Sequence, residues 1–214
     1  MFQKYAWIFT IILGFCVLTG CGGVLVSDPD ARPVNYPREG VLETNLDAKP
    51  LKRPIAAGER VPDFVWVDQV GRRVSTGELM AGGDSLLIFI PGDGDPATRP
   101  VYDWVRRNRA TASSHQCEIL LVSPDSVDTN ATVAAREELS VGIMADPSGW
   151  GARAFGLMPS GEATRPGRVW SVIVGREGKV LKVATGLLQA SEMITTLKVR
   201  SAAREEMRAI DLLR

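Results

Sequence analysis

Leu86-Leu87-Ile88-Phe89-Ile90-Pro91-Gly92 is the stretch on which the fold turns. Five consecutive apolar residues, entered from Gly82-Gly83-Asp84 and closed by a proline and a glycine, lack the alternation of a half-exposed strand and are too short for a helix. Such a run predicts a strand covered on both faces. Asp95 and Pro96 then offer an N-cap and a first helical position, with Pro100 inside the first turn and Val101, Trp104 and Val105 recurring on one helix face. A second buried run, Ile119–Val122, leads to Ser123-Pro124-Asp125, a helix through Ala134 to Leu139, and a short strand Val141–Met144. Strand and helix in alternation imply a parallel sheet with crossovers.

Working outward, Phe64–Asp68 and Arg73–Ser75 around Gln69-Val70-Gly71 read as a hairpin ahead of that core. Behind it, Trp150–Phe155 reads as a short helix. Val169–Val174 and Val180–Thr185 form a hairpin about Gly175-Arg176-Glu177-Gly178, and Ser191 opens a final helix bearing Met193, Ile194 and Leu197. The domain predicted on this basis covers residues 58–200, one domain of ordinary size, with 201–214 as a helical extension. Residues 21–57 carry Gly22-Gly23, Pro29, Pro33, Pro37, Pro50 and Pro54 without apolar periodicity, which predicts an extended, mobile tether.

The first twenty residues have a different character. Met1–Tyr5 carries one charge, Lys4; Ala6–Leu18 is apolar; Thr19-Gly20-Cys21 follows. A charged start, a short apolar core and small residues at its end make a signal peptide rather than a membrane span. Leu18-Thr19-Gly20-Cys21 resembles the lipobox of bacterial lipoproteins, which implies cleavage before Cys21 and a lipid on its thiol. The expected location is the cell envelope, with the domain outside the cytoplasm and the membrane as its first partner. An uncleaved anchor or an ordinary secretory signal would export the domain equally.

Charge bounds the remaining partners. The chain has 25 basic and 25 acidic residues, so no net basic field invites nucleic acid and no polybasic patch invites a lipid surface. A protein partner or a second copy of the chain is left as the expected macromolecular contact; no cofactor or metal is implied. Asp93-Gly94-Asp95 lacks the later ligands of a calcium loop and reads as turn and cap. Of three cysteines, Cys16 leaves with the signal and Cys21 is acylated, so Cys117 is the single thiol of the mature domain and an internal disulfide is excluded. The apolar run after it favours burial.

Gly58-Glu59-Arg60-Val61-Pro62-Asp63-Phe64, Phe89-Ile90-Pro91, Leu121-Val122-Ser123-Pro124-Asp125-Ser126 and Ala145-Asp146-Pro147 occur in order. Together they resemble the peroxiredoxins, the alkyl hydroperoxide reductase and thiol-specific antioxidant family, over about Ala56 to Leu197. The resemblance implies an α/β, thioredoxin-like fold with a mixed central sheet flanked by helices. It also implies a motif starting at the strand-ending proline, Pro-x-x-x-(Thr/Ser)-x-x-Cys, whose cysteine sits at a helix N-terminus near an arginine. Helix dipole and cation would keep that thiol ionised, and the hydroxyl would position the peroxide.

Counting from Pro91 puts Asp95 at the hydroxyl position and Thr98 at the cysteine position. An alcohol forms no sulfenic acid, and a carboxylate repels a thiolate. Counting back from Gly178 puts Val169 at the arginine position; Arg168 would take it only with an additional residue in the Gly175–Gly178 turn, because a one-residue slip reverses the face. The expectation is a non-peroxidatic, membrane-anchored family member acting as a binding or assembly module through a degenerate site of Pro91, Asp95, Thr98 and Arg168. The alternative is a thiol peroxidase or oxidoreductase using Cys117. His115, the one histidine, reads as part of a solvent loop, Arg106-Arg107 and Arg109 as a solvated helix face, and Trp66, Trp104, Trp150 and Trp170 as core or rim packing rather than a ligand cleft.

Overall fold

A computed structural model of the chain describes residues 50–158 and 165–211, with residues 201–211 described by backbone alone. The expected signal peptide 1–20, Cys21 and the expected tether as far as residue 49 lie outside the described residues. The elements, in order, are β1 (Val65–Asp68), β2 (Arg73–Ser75), α1 (Thr76–Ala81), β3 (Asp84–Phe89), α2 (Arg99–Ser114), β4 (Cys117–Ser123), α3 (Val127–Arg136), β5 (Gly142–Ala145), α4 (Trp150–Ala154), β6 (Trp170–Val174), β7 (Val180–Thr185) and α5 (Ala190–Asp211). They build one seven-stranded sheet in the order β2-β1-β5-β4-β3-β6-β7. The two apolar runs are its centre: β3, β4 and β5 are parallel, and β1 and β6 join them antiparallel, giving the mixed sheet expected.

Both faces of β3 are covered, as its unbroken apolar run demands, and its pleat sorts side chains between two clusters. Leu86, Ile88 and Ile90 pack with Val101, Tyr102, Trp104 and Val105 of α2, Val133 of α3, and Met193 and Leu197 of α5. Leu87 and Phe89 face the other way, onto Ile55, Trp66, Leu79 and Phe155. On that second face the rings of Phe89 and Phe155 lie 5.2 Å apart and those of Phe64 and Trp66 4.8 Å apart. Each fully buried side chain of this size contributes about 1.5–3 kcal/mol by leaving water.

Three elements differ from the sequence reading. Helix α1 was not expected; Ser75 accepts from Glu78 N while Glu78 receives the Ser75 N–H, a capping box that starts a helix too short to show periodicity. Helix α2 begins at Arg99 rather than Pro96: Asp95 Oδ1 accepts from Ala97 N (2.8 Å) and Asp95 O from Thr98 N (2.9 Å), so Asp95 closes a turn and Thr98 takes the cap. The body also reaches back before residue 58. Ile55 is buried in the second core, and Leu51 N and Ile55 N donate to Arg153 O (3.1 Å) and Phe155 O (3.0 Å), so residues 51–55 form a strap along α4. Gly156 seats it: with φ at +67°, a Cβ there would lie 1.8 Å from Arg53 O.

Candidate functional site

The loop between β3 and α2 is shaped by bonds converging on one carbonyl. Pairing continues past β3 through Ile90 N to Val122 O (3.0 Å) and stops at Pro91, which has no N–H to give. Gly92 follows at φ +124°, where a Cβ would press on Asp125 Oδ1 at 3.3 Å. Its carbonyl accepts Asp95 N (3.2 Å) and the hydroxyl of Thr98 (2.6 Å). Thr98 is fully buried. Its proton is therefore committed to a neutral carbonyl, and the alcohol is neither exposed nor paired with a base.

Charged groups whose pairing the sequence did not reveal surround this loop. Asp93 accepts from Arg136 Nη2 (2.6 Å), Arg136 Nη1 (3.2 Å) and the Tyr102 hydroxyl (3.3 Å), and Arg136 holds its carboxyl below the ordinary range. Burial, then the charge of Asp93, pushes the Tyr102 phenol well above its usual value. Asp125 Oδ2 accepts from Asp93 N (2.7 Å) and Ser123 Oγ (3.0 Å). Behind them, Glu137 gathers Arg99 (3.0 Å), Arg136 (3.0 Å) and Arg106 (3.3 Å), and Arg106 also bonds Asp103. Bonds to Arg136 and then Arg106 hold Glu137 below the carboxylate range. Arg106 therefore belongs to a network joining α2 to the end of α3 while staying, with Arg107 and Arg109, on the exposed face expected of it. A network closed between residues 93, 99, 106, 136 and 137 leaves no mark in a single sequence; only its charged residues could have prompted a search.

The predicted site residues are only partly brought together. Pro91 and Thr98 are joined through Gly92; Asp95 is exposed at the rim. Arg168 is exposed, whereas Val169 is buried in the α2-face cluster. The Gly175–Gly178 turn closes tightly, Gly178 N to Gly175 O at 2.8 Å. The one register shift lies between Ile173 and Val174, where β6 pairs Ile173 with Lys182 but Val174 with Val180. An alkyl group, not a guanidinium, therefore lies in the α2-face cluster just before β6.

Cys117 lies at the opposite end of the sheet. The β3–β4 register pairs it with Asp84 and pairs Val122 with Phe89, five residues or roughly 17 Å along the strand. It is 3 % exposed, its Sγ makes one weak 3.8 Å contact to Glu118 O, and burial first, then Asp84 and Glu118, pushes the thiol up to about 12. A cleft of about 330 Å³ with Arg109, Ser113, Gln116 and Ser140 in its lining runs beside it. His115 is the half-buried C-cap of α2, its N–H on Ala112 O at 2.9 Å, in the two-residue turn that leads to β4. Trp66 and Trp104 are buried on opposite faces of the sheet, and Trp150 and Trp170 are half-buried against the second core, so the four do not line one cleft. Among the described residues no cluster has the make-up of a metal site.

Comparison with known proteins accords with this architecture. The model of the AhpC/TSA family matches residues 57–183. Among solved structures, peroxidoxin BcpB from Mycobacterium tuberculosis is 21 % identical with a TM-score of 0.62, over 68 % of this chain and 97 % of its own. AhpC of Enterococcus faecalis is 24 % identical with a TM-score of 0.61, over 70 % and 95 %. A thiol:disulfide interchange protein DsbE from Chlorobium tepidum is 20 % identical with a TM-score of 0.55, over 67 % and 99 %. No curated protein sequence matches the chain.

Proposed function

The chain belongs to the AhpC/TSA family, and from that premise we propose that it is a non-peroxidatic member, held to a membrane of the cell envelope by a lipid on Cys21 and working by binding at the Pro91–Arg99 loop. The observation that carries the reading is Thr98. Counting from Pro91 puts it where the resemblance has its cysteine, and its hydroxyl is buried against Gly92 O at 2.6 Å. The surroundings agree: Asp95 replaces the motif's hydroxyl, Val169 replaces the guanidinium, and the cations nearest the loop are engaged by Asp93 and Glu137. The helix start remains, but among the described residues the nearby cations that would help ionise a thiol or polarise a peroxide are engaged elsewhere.

What remains is a rigid loop with exposed Asp95 and Arg99, the partly exposed Asp93–Arg136 pair, and half-buried Trp150 and Trp170 at the same sheet end. A surface of mixed charge and flat aromatics suits a protein partner better than a small apolar ligand. Anchorage is supported by the order Lys4, apolar core, Leu18-Thr19-Gly20-Cys21. Among the described residues no helix is long and apolar enough to cross a membrane.

The reading that places a peroxidase nucleophile at Cys117 has the thiol's burial and raised pKa against it. Peroxide consumption by the purified full chain with excess dithiol separates the two. The expected rate equals the dithiol background and is unchanged in Cys117→Ser; turnover above background that disappears in Cys117→Ser would refute the proposal.

A further inference from the structure

The cleft of about 330 Å³ beside the start of β4 lies at the end of the sheet opposite the Pro91 loop and takes no part in the site there. Its size is at the lower end of small-molecule sites. Helix α2 contributes Arg109 and Ser113, four residues apart and therefore on one helix face. The segment entering β5 contributes Ser140. Gln116, in the left-handed region at φ +55°, joins them from the turn between α2 and β4. Beneath these polar groups the lining is aliphatic, with Ile119 and Val141 both belonging to the α2-face core.

What marks the cleft is a set of donors without acceptors. Among the described residues the Arg109 guanidinium, with five N–H groups to give, makes no ion pair and no hydrogen bond, and the hydroxyls of Ser113 and Ser140 make none. Gln116 Oε1 is turned to Arg176 Nη2 (3.5 Å), which leaves its amide N–H groups uncommitted. The carbonyls ending α2 do not compete for these donors, because Ala112 O and Ser113 O already accept His115 N and Gln116 N, each at 2.9 Å. Nor does the Glu118 carboxylate. Glu118 alternates along β4 with Cys117 and Ile119, which pack on the α2 side, so its side chain stands on the other face of the sheet.

A guanidinium fork, two hydroxyls and an amide above buried aliphatic side chains call for a planar anion on an apolar stem. We propose that this cleft binds a small monocarboxylate with a short aliphatic part, its carboxylate on Arg109 and the neighbouring donors and its chain toward Ile119 and Val141. Fork and carboxylate match as two parallel hydrogen bonds. A dianion such as phosphate is disfavoured, because one guanidinium cannot neutralise two charges. The C-terminal end of α2, which has no basic residue in its last turn, also brings its negative partial charge to the same cleft. The inference does not depend on what binds at the Pro91 loop.

Titration of the full chain with butyrate, followed by amide chemical shifts, tests the site. Saturable shifts are expected at Ser113, Gln116, Ser140 and Val141 with a dissociation constant of about 1 mM, while amides of the Pro91–Arg99 loop stay unmoved. Since Arg109 is exposed and bonded to nothing among the described residues, Arg109→Gln leaves the fold intact, and it should weaken butyrate by about tenfold or more. Butyramide, of the same shape without the charge, should bind as weakly as butyrate binds that variant, and inorganic phosphate more weakly than butyrate. Absence of saturation by about 50 mM butyrate, equal affinity for butyramide, unaltered affinity in Arg109→Gln, or phosphate binding as tightly as butyrate would each overturn the proposal.

Discussion

Reaction of Cys117 with a disulfide reagent at pH 7.5 should be slower in the native chain than in the denatured chain by at least about 50-fold. The magnitude comes from the thiol's surroundings. Thiol–disulfide exchange runs through the thiolate, and burial with Asp84 and Glu118 nearby moves the pKa from 9.0 to about 12. Three units lower the thiolate fraction about 1000-fold, and the greater nucleophilicity of a more basic thiolate restores about 20-fold of that. Access compounds the effect, because Sγ lies at the base of β4 under α2 with 3 % of the residue exposed. The residual rate should rise with sub-denaturing urea, since reaction proceeds through opened molecules. Colour release from 5,5′-dithiobis(2-nitrobenzoate), followed on the chain with Cys21 blocked or acylated, measures it. A native rate within tenfold of the denatured one, insensitive to urea, would refute the argument and restore Cys117 as a candidate nucleophile.

Other consequences can be checked on the same protein. Thr98→Val keeps the shape but leaves the Gly92 carbonyl without its 2.6 Å donor, which should cost about 1–3 kcal/mol in urea unfolding. Thr98→Cys should produce no peroxidase, because the new thiol would be fully buried with the neighbouring cations already engaged; peroxide turnover in this variant would contradict that. Glu137→Ala, which strips three arginines of a shared partner, should lower the melting temperature more than Arg99→Ala, whose side chain is 68 % exposed. Since Asp93 and Glu137 are held below the carboxylate range, their stabilisation is present above about pH 4 and lost as pH falls through their lowered values. Urea unfolding between pH 3 and 5 should show that loss, and Asp93→Asn should reduce it.

The features legible in the sequence were those written in consecutive residues. The apolar runs at 86–90 and 119–122 could only be strands covered on both faces, and they are the centre of the sheet. The Gly175–Gly178 turn set the β6–β7 hairpin, and Val101, Trp104 and Val105 marked the buried face of α2. What escaped depended on bonds made in three dimensions. Asp95-Pro96 has the chemistry of a helix start, but Asp95 spends its oxygens on an Asx turn and the helix waits for Thr98. Arg106 keeps the exposed position a helical wheel gives it, but its bond to Glu137 at the end of α3 is not visible there. The strap was hidden for the same reason, since its backbone donors have no periodic signature. A capping box did announce α1 in Ser75 and Glu78 and could have been found.

The central claim joins a family scaffold, a missing nucleophile and a lipid anchor, and one spectrum addresses all of it. Intact mass of the full-length product extracted from membranes, after exposure to hydrogen peroxide with dimedone, should show a chain beginning at an acylated Cys21 and no dimedone adduct. A dimedone adduct mapped to Cys117, or a chain retaining residues 1–20 with an unmodified Cys21, would contradict it.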